Sequence, residues 1–331
     1  MIVSRAPVRF SLGGGGTDLP SYAREHGGYV VAGAVDKYVF ICAAKRFYDT
    51  IRLAYSKMEL VESVDQIEHR IYREALRFTR IERGIELQSF ADVPANSGLG
   101  SSGTFTVALL NALHAYKREF VPTKQLAEEA CHVEIELLKQ PIGKQDQFIA
   151  AYGGITAFTF DKDGTVHAER VPMRNEVIDD LESSLLVFYS GVERAASAVL
   201  SEQAKTISSN KDDAVARMHK IKELGHETHR ILVNGALDEY GELLHEHWTM
   251  KRRLTSNMAN GALDEHYEAA RKAGALGGKL MGAGGGGFFL FYARHADRRR
   301  VHEAMVARGL RPMRFHFDFD GARIAANLHR S

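Results

Sequence analysis

Over the first part of the chain, apolar and β-branched residues come in short runs. Val8–Leu12, Tyr29–Ala34, Tyr38–Ala44 and Leu87–Val93 are each bounded by turn-forming residues, which predicts four strands. The period then changes. From Thr104 to Tyr116 apolar residues recur at helical spacing through Val107, Leu110 and Leu113 or His114, and Thr123–Leu138 predicts a second amphipathic helix. A hairpin is expected after Tyr152-Gly153-Gly154, turning at Asp161-Lys162-Asp163-Gly164, followed by a strand at Leu185–Tyr189. Residues 193–273 hold several helical patterns, and the rest reads as strands at Gly278–Met281 and Phe288–Tyr292, a helix over Asp297–Arg308 and a strand over Arg311–Phe317. That order predicts an antiparallel sheet with helices on one face, behind a mixed first half, hence an α+β chain. At 331 residues the chain exceeds the size of a single hydrophobic core, so two domains are expected, with a boundary near 155–180.

Composition narrows the function by exclusion. Hydrophobic residues make up 45% and charged residues 26%, as in an ordinary globular protein. With 43 basic and 42 acidic residues the formal charge is +1, so no overall field would draw the chain to nucleic acid or an anionic membrane. The longest apolar candidate for a membrane span, Tyr29–Ala44, is interrupted by Asp36 and Lys37. The start, Met-Ile-Val-Ser-Arg, does not read as a secretion signal, and Cys42 and Cys131 are too few for a disulfide framework or a zinc site. A reducing cytoplasm is the expected compartment.

Glycine placement is more specific. Of 30 glycines, four lie at 13–16, three at 98–103 and eight at 274–287. Glycine is costly in regular structure and useful where backbone turns tightly or approaches a ligand, so this clustering points to sites built from backbone. The stretch Pro94-Ala95-Asn96-Ser97-Gly98-Leu99-Gly100-Ser101-Ser102-Gly103 runs into the predicted helix. The start of a helix leaves N–H groups unpaired and carries partial positive charge, which suits a phosphate, and serine hydroxyls there can reach a phosphate oxygen or a magnesium ion. Residues 98–103 and 282–287 also satisfy G-x-G-x-x-G, but Pro94–Ser97 separates the first from its strand, and the region near Glu119 that should carry the acidic strand is helical. Neither cluster contains the G-K-[ST] of a P-loop. A serine-capped helix with no ligand is the plain alternative.

Phosphoryl transfer to an alcohol needs a positioned hydroxyl, an oriented triphosphate, a metal and a proton acceptor. Gly143-Lys144-Gln145-Asp146-Gln147 presents a carboxylate just after a break at Pro141 and Gly143, and Glu134 lies on the preceding helix. Three segments together resemble the GHMP kinase superfamily over almost the whole chain: Arg5–Asp18, Pro94–Ser102 and Lys279–Gly287.

The resemblance implies a two-domain fold, with an N-terminal kinase domain over 1–165 and a ferredoxin-like C-terminal domain over 166–331, and it implies ATP and Mg2+ as cofactors. It makes Asp146 the catalytic base and Arg9 its charge partner. Pro94, Asn96, Ser97, Gly98, Leu99, Gly100, Ser101 and Ser102 would hold the nucleotide, with Ser102 and Glu134 on magnesium. Gly14, Gly15, Gly16, Thr17, Asp18, Gly284 and Gly285 would line the acceptor site, Asp18 by hydrogen bonds to sugar hydroxyls.

Galactokinases carry glycine-glutamate-histidine before Thr-Asp, where this chain has Gly14, Gly15 and Gly16, which argues against galactose. The all-glycine segment and Gly143–Gln147 look most like the heptose 7-phosphate kinase branch, which implies a sugar phosphate and ATP as partners and a monomer or homodimer. An acceptor phosphate needs cations, and Lys144 or Lys251-Arg252-Arg253 could supply them; a solvated helix face is the alternative for the latter run. His226, His229, His245 and His247 show no H-E-x-x-H pattern and read as structural or surface residues, and Trp248 reads as a core anchor.

Overall fold

The computed structural model describes residues 1–191, 211–254, 261–282 and 286–328. Gly284 and Gly285 lie outside the described residues, as do the side chains of Lys251, Arg252 and Arg253.

Twelve strands among the described residues form two sheets. In the eight-stranded first sheet the path runs β12-β1-β2-β5-β3-β4, with β6 and β7 branching from β2. The strands are β1 (Ile2–Gly13), β2 (Gly28–Lys45), β3 (Ile51–Ala54), β4 (Met58–Val61), β5 (Ile85–Ala91), β6 (Ile155–Phe160), β7 (Val166–Arg170) and β12 (Arg323–Asn327). The two strands expected at 29–34 and 38–44 are one strand, β2. Its partner register jumps from Pro7↔Tyr38 to Val8↔Val35, so Asp36 and Lys37 are bulged out of the ladder rather than forming a turn. The bulge satisfies their polarity: Lys37 Nζ donates to Asp36 Oδ1 at 2.7 Å, and His316 N donates to the same oxygen at 3.0 Å.

Helices α1 (Pro20–His26), α2 (Arg70–Thr79), α3 (Ser101–Tyr116), α4 (Thr123–Cys131) and α5 (Gln145–Tyr152) belong to the same half, and α6 (Asn175–Ser184) follows β7. Val107, Leu110 and Leu113 of α3 pack with Ile41, Ala43 and Leu87 of the sheet, burying the stripe that the helical spacing predicted. The long helix expected over 123–138 changes character part-way. After Cys131 it continues as a π-helical turn, His132–Leu137, and Glu134 on that turn is fully buried.

The second sheet contains β8 (Leu185–Tyr189), β9 (Ala275–Leu280), β10 (Phe288–Ala293) and β11 (Arg311–Met313), in the order β11-β8-β10-β9, all antiparallel. Relative to chain order that is 4-1-3-2, with α7 (Lys211–Asn234), α8 (Leu237–Leu254) and α9 (Gly261–Ala273) between its first two strands and α10 (His295–Val306) between its last two. This is the ferredoxin-like arrangement. β10 shows why it is central: Phe288, Leu290 and Tyr292 join the core shared with Phe10 and Leu12 of the first sheet, while Phe289, Phe291 and Ala293 join Tyr267, Val301 and Met305. Trp248 stacks on Tyr267 with ring centroids 4.4 Å apart, the core role expected of it.

The strand expected over 311–317 ends at Met313. Phe315 and Phe317 keep the alternation but turn to the first sheet, where Phe315 meets Phe10 edge-on and Phe317 bridges Val35. The chain then adds β12 beside β1. The boundary expected at residue 165 falls between β6 and β7, which pair as a hairpin within the first sheet. Among the described residues no helix is long and apolar enough to cross a membrane.

Candidate active site

The segment Pro94–Ser102 leaves β5 and enters α3 at the seam between the sheets. Gly98 has φ +84° and Gly100, the residue capping α3, has φ +76°; both are conformations that only glycine adopts without strain. No side chain caps α3, and no acidic residue occupies its first turn, so the partial positive charge of the helix start is not neutralised from within the helix. Asn96 also has positive φ and is exposed, as is Pro94, while Ser97 and Leu99 are fully buried and anchor the segment. Leu99 O accepts the Arg9 amide at 3.1 Å, joining the loop to β1.

The third glycine cluster meets this loop directly. A Cβ on Gly98 would overlap the Met281 carbonyl oxygen, one on Gly282 would lie 2.6 Å from Gly98 Cα, and one on Gly287 would overlap the Ser97 carbonyl oxygen. The loop is therefore seated against the ends of β9 and β10.

Arg9, 4% exposed, organises the centre. Its Nε donates to Asp146 Oδ1 at 2.7 Å, Nη2 to Asp146 Oδ2 at 2.9 Å and Nη1 to Gly98 O at 2.6 Å. One guanidinium thus fixes both the carboxylate and the loop in a geometry a lysine cannot copy. Asp146 sits in the first turn of α5, where a helix favours negative charge, and its carboxylate lies 3.0 Å from where a Cβ on Gly100 would be. The next residue faces the other way: Gln147 Nε2 donates to Glu134 Oε2 at 2.7 Å, and Ser102 Oγ donates to Glu134 Oε1 at 2.5 Å. Burial pushes the Glu134 carboxyl up to about 7, and the nearby Asp146 charge adds to that, against the hydrogen bonds from Ser102 and Gln147.

Models of the GHMP kinase N-terminal domain and of the GHMP kinase C-terminal domain match residues 69–154 and 229–310, together about half of the chain. The chain belongs to the GHMP kinases. Like them it is a phosphotransferase with an alcohol acceptor. It is 26% identical to the D-glycero-alpha-D-manno-heptose 7-phosphate kinase of Campylobacter jejuni over 92% of this chain and 93% of that protein. It is 27% identical to the galactokinase of Pyrococcus furiosus over 92% of both. Among solved structures, a D-glycero-D-manno-heptose 1-phosphate kinase from Bacteroides thetaiotaomicron superposes with a TM-score of 0.80 at 26% identity, covering 97% of this chain and 98% of the other.

Within this GHMP kinase, most of the residues expected on the acceptor side are in contact with neighbouring protein atoms. Gly14 and Gly15 do not open room for a ligand: the Tyr29 carbonyl fills the space beside the first and Ser11 Oγ that beside the second. Only Gly16 is open, with Met218 as its nearest neighbour at 3.9 Å. Thr17 is fully buried and its hydroxyl bonds Gly14 O, Tyr29 O and Tyr29 N. Asp18, 7% exposed, accepts N–H groups from Gly16 and Gln145, and burial raises its pKa. Lys144 Nζ donates to Gly164 O at 2.6 Å, and its side chain lines a cavity of about 190 Å³ with Glu128, Cys131 and His132.

Two residues given no role from sequence belong to the site: Gln145, whose Nε2 donates to Asp146 Oδ1 at 3.1 Å, and Gln147. Their signal was their adjacency to Asp146.

A hard cation is compatible with one side of this site. A buried carboxylate and a hydroxyl, Glu134 and Ser102, are the oxygen donors that Mg2+ prefers. Among the described residues no group of three or more His, Cys, Asp or Glu could hold a metal.

Proposed function

We propose that this GHMP kinase transfers the γ-phosphoryl group of ATP to the anomeric hydroxyl of D-glycero-D-manno-heptose 7-phosphate, giving the 1,7-bisphosphate. The observation that carries the reading is the Asp146 carboxylate gripped by Arg9 at the uncapped start of α3. The helix N–H groups and the loop Gly98–Ser102 cradle the β- and γ-phosphates; Gly282 and Gly287 brace that loop from β9 and β10. The acceptor hydroxyl lies against Asp146, which takes its proton as the new O–P bond forms and the bond from the γ-phosphorus to the bridging oxygen breaks, releasing ADP. Arg9 holds the carboxylate in line and offers positive charge to the transferring group. Ser102 and Glu134 would hold Mg2+, which would supply positive charge to the phosphates. The heptose branch is supported by the similarity to the Campylobacter enzyme over nearly the full length of both chains, and by glycine at positions 15 and 16 in place of the glutamate and histidine of galactokinases.

An acceptor panel tests the proposal: heptose 7-phosphate, the unphosphorylated heptose, galactose, fucose and mevalonate, each with Mg-ATP, with the product identified by phosphorus NMR. Highest kcat/KM on heptose 7-phosphate with an anomeric phosphate is expected; preference for a neutral sugar would remove this acceptor.

A further inference from the structure

We propose that the outer face of the first sheet, across β2, β5, β3 and β4, is a self-association surface on which a second copy of this chain packs about a two-fold axis. Side chains alternate between the two faces of a strand. Ile41, Leu53 and Leu87 point to the core, where Leu76 of α2 and Leu110 of α3 meet them. Their neighbours in sequence point the other way, and the register sets them in rows: Phe40 stands opposite Phe90, Ala54 opposite Gln88 and Met58, and Arg52 opposite Glu86 and Leu60. Met58, Leu60 and Phe90 are each more than half exposed. The loop after β2 extends the surface at one end, since Arg46 reaches Glu86 at 3.5 Å and lies over the ring of Tyr48, which Phe47 meets edge-on. Tyr48 is more than half exposed and Phe47 almost wholly so. Phe47, Tyr48, Met58, Leu60 and Phe90 together present on the order of 600 Å² of apolar surface, the top of the range for the largest patch on a monomer and enough for the apolar part of a dimer face of about 800 Å². β4 ends the sheet path, where a monomer would place charge on an outermost strand, yet it turns Met58 and Leu60 outward.

Charge selects the occupant. Glu86 pairs with both Arg46 and Arg52, and Arg52 also donates to Met58 Sδ. With its ions paired internally, the face has little net sign to draw an acidic or a basic partner, and a two-fold axis can set it against its own copy without bringing unpaired like charges together. The inference stands whichever acceptor the kinase uses.

Sedimentation velocity of the full chain over a micromolar concentration series tests it, comparing the parent with Leu60→Glu, Phe90→Glu and, as a control on the connection between α3 and α4, the exposed Phe120→Glu. The parent should sediment as a particle of about twice 36.8 kDa. Each change on the face buries a carboxylate against apolar surface twice per dimer, and should weaken association by about hundredfold or more while circular dichroism stays parental. Phe120→Glu should leave association unchanged. Cys42 stands opposite Gln88 on the same face and is partly exposed, whereas Cys131 is buried. The Cys42 thiol should therefore react with Ellman's reagent several-fold faster in dilute parent than in concentrated parent, a reading that needs no variant. A monomeric parent overturns the proposal, as does a dimer that survives both Leu60→Glu and Phe90→Glu, one that Phe120→Glu disrupts as readily, or a Cys42 rate that does not change on dilution.

Discussion

Arg9 and Asp146 meet through two hydrogen bonds, at 2.7 and 2.9 Å, while the remaining nitrogen of the same guanidinium holds the Gly98 carbonyl at 2.6 Å. The orientation of the Asp146 carboxylate and the shape of the loop are therefore one arrangement. Replacing Asp146 by Asn keeps the size and removes the proton acceptor, so kcat should fall by about 10²- to 10⁴-fold. Stabilisation by Mg-ATP, measured as a rise in melting temperature, should persist. Arg9→Lys keeps a positive charge and loses the fork, and a kcat loss of about tenfold to hundredfold is expected, with a weaker Mg-ATP effect because Gly98 is released too.

Gly98 is constrained twice, by φ of +84° and by the Met281 carbonyl oxygen, 2.4 Å from where a Cβ would stand. Gly98→Ala should cost about 1–3 kcal/mol of stability and raise the KM for ATP by more than it changes the KM for the acceptor. Denaturant unfolding and the two KM values check this; equal changes in both would argue that the loop is not the nucleotide seat.

Lys144 looked from the sequence like a partner for an acceptor phosphate, but its ammonium bonds Gly164 O in the turn between β6 and β7. Lys144→Met is expected to change the acceptor KM by less than about threefold, measured by initial rates over a range of acceptor concentrations.

His114, near the end of α3, lies between two carboxylates, Glu119 at 3.0 Å and Glu129 at 2.6 Å. Burial opposes a charge on the ring, but the hydrogen bonds it donates to Glu129 and Glu119 outweigh that and the pKa is raised. A raised imidazole pKa stabilises the fold fully below its unfolded value of about 6.5, and the contribution is lost as pH climbs through the folded value. Both carboxylates have lowered pKa values, so their share is lost in the opposite direction, as pH falls below about 4.5. The melting temperature should thus decline as pH rises above about 6.5, and decline less in His114→Gln.

Much of this was legible because it is local. Glycine clusters mark the loop and its brace, helical spacing marks α3, and the break at Pro141 and Gly143 marks the approach to Asp146. What stayed hidden depends on distant partners. Alternation at Phe315 and Phe317 signals a strand, yet nothing local says that these rings turn to Phe10 and Val35 instead of extending β11. Asp36-Lys37 reads as a turn because the pattern cannot reveal a neighbouring strand able to absorb two extra residues. The backbone partners of Asp18 and Lys144, at Gln145 and Gly164, were hidden for the same reason, since the fold brings them alongside from distant parts of the sequence.

The interlocking of Gly98 with Gly282, and of Ser97 with Gly287, means the glycine loop is not a portable cassette. Transplanted with its helix alone into another scaffold, it would lack the wall that keeps its backbone in shape. Redesign at any of these sites has to be done in matched sets, since a methyl group gained on one side needs volume surrendered on the other.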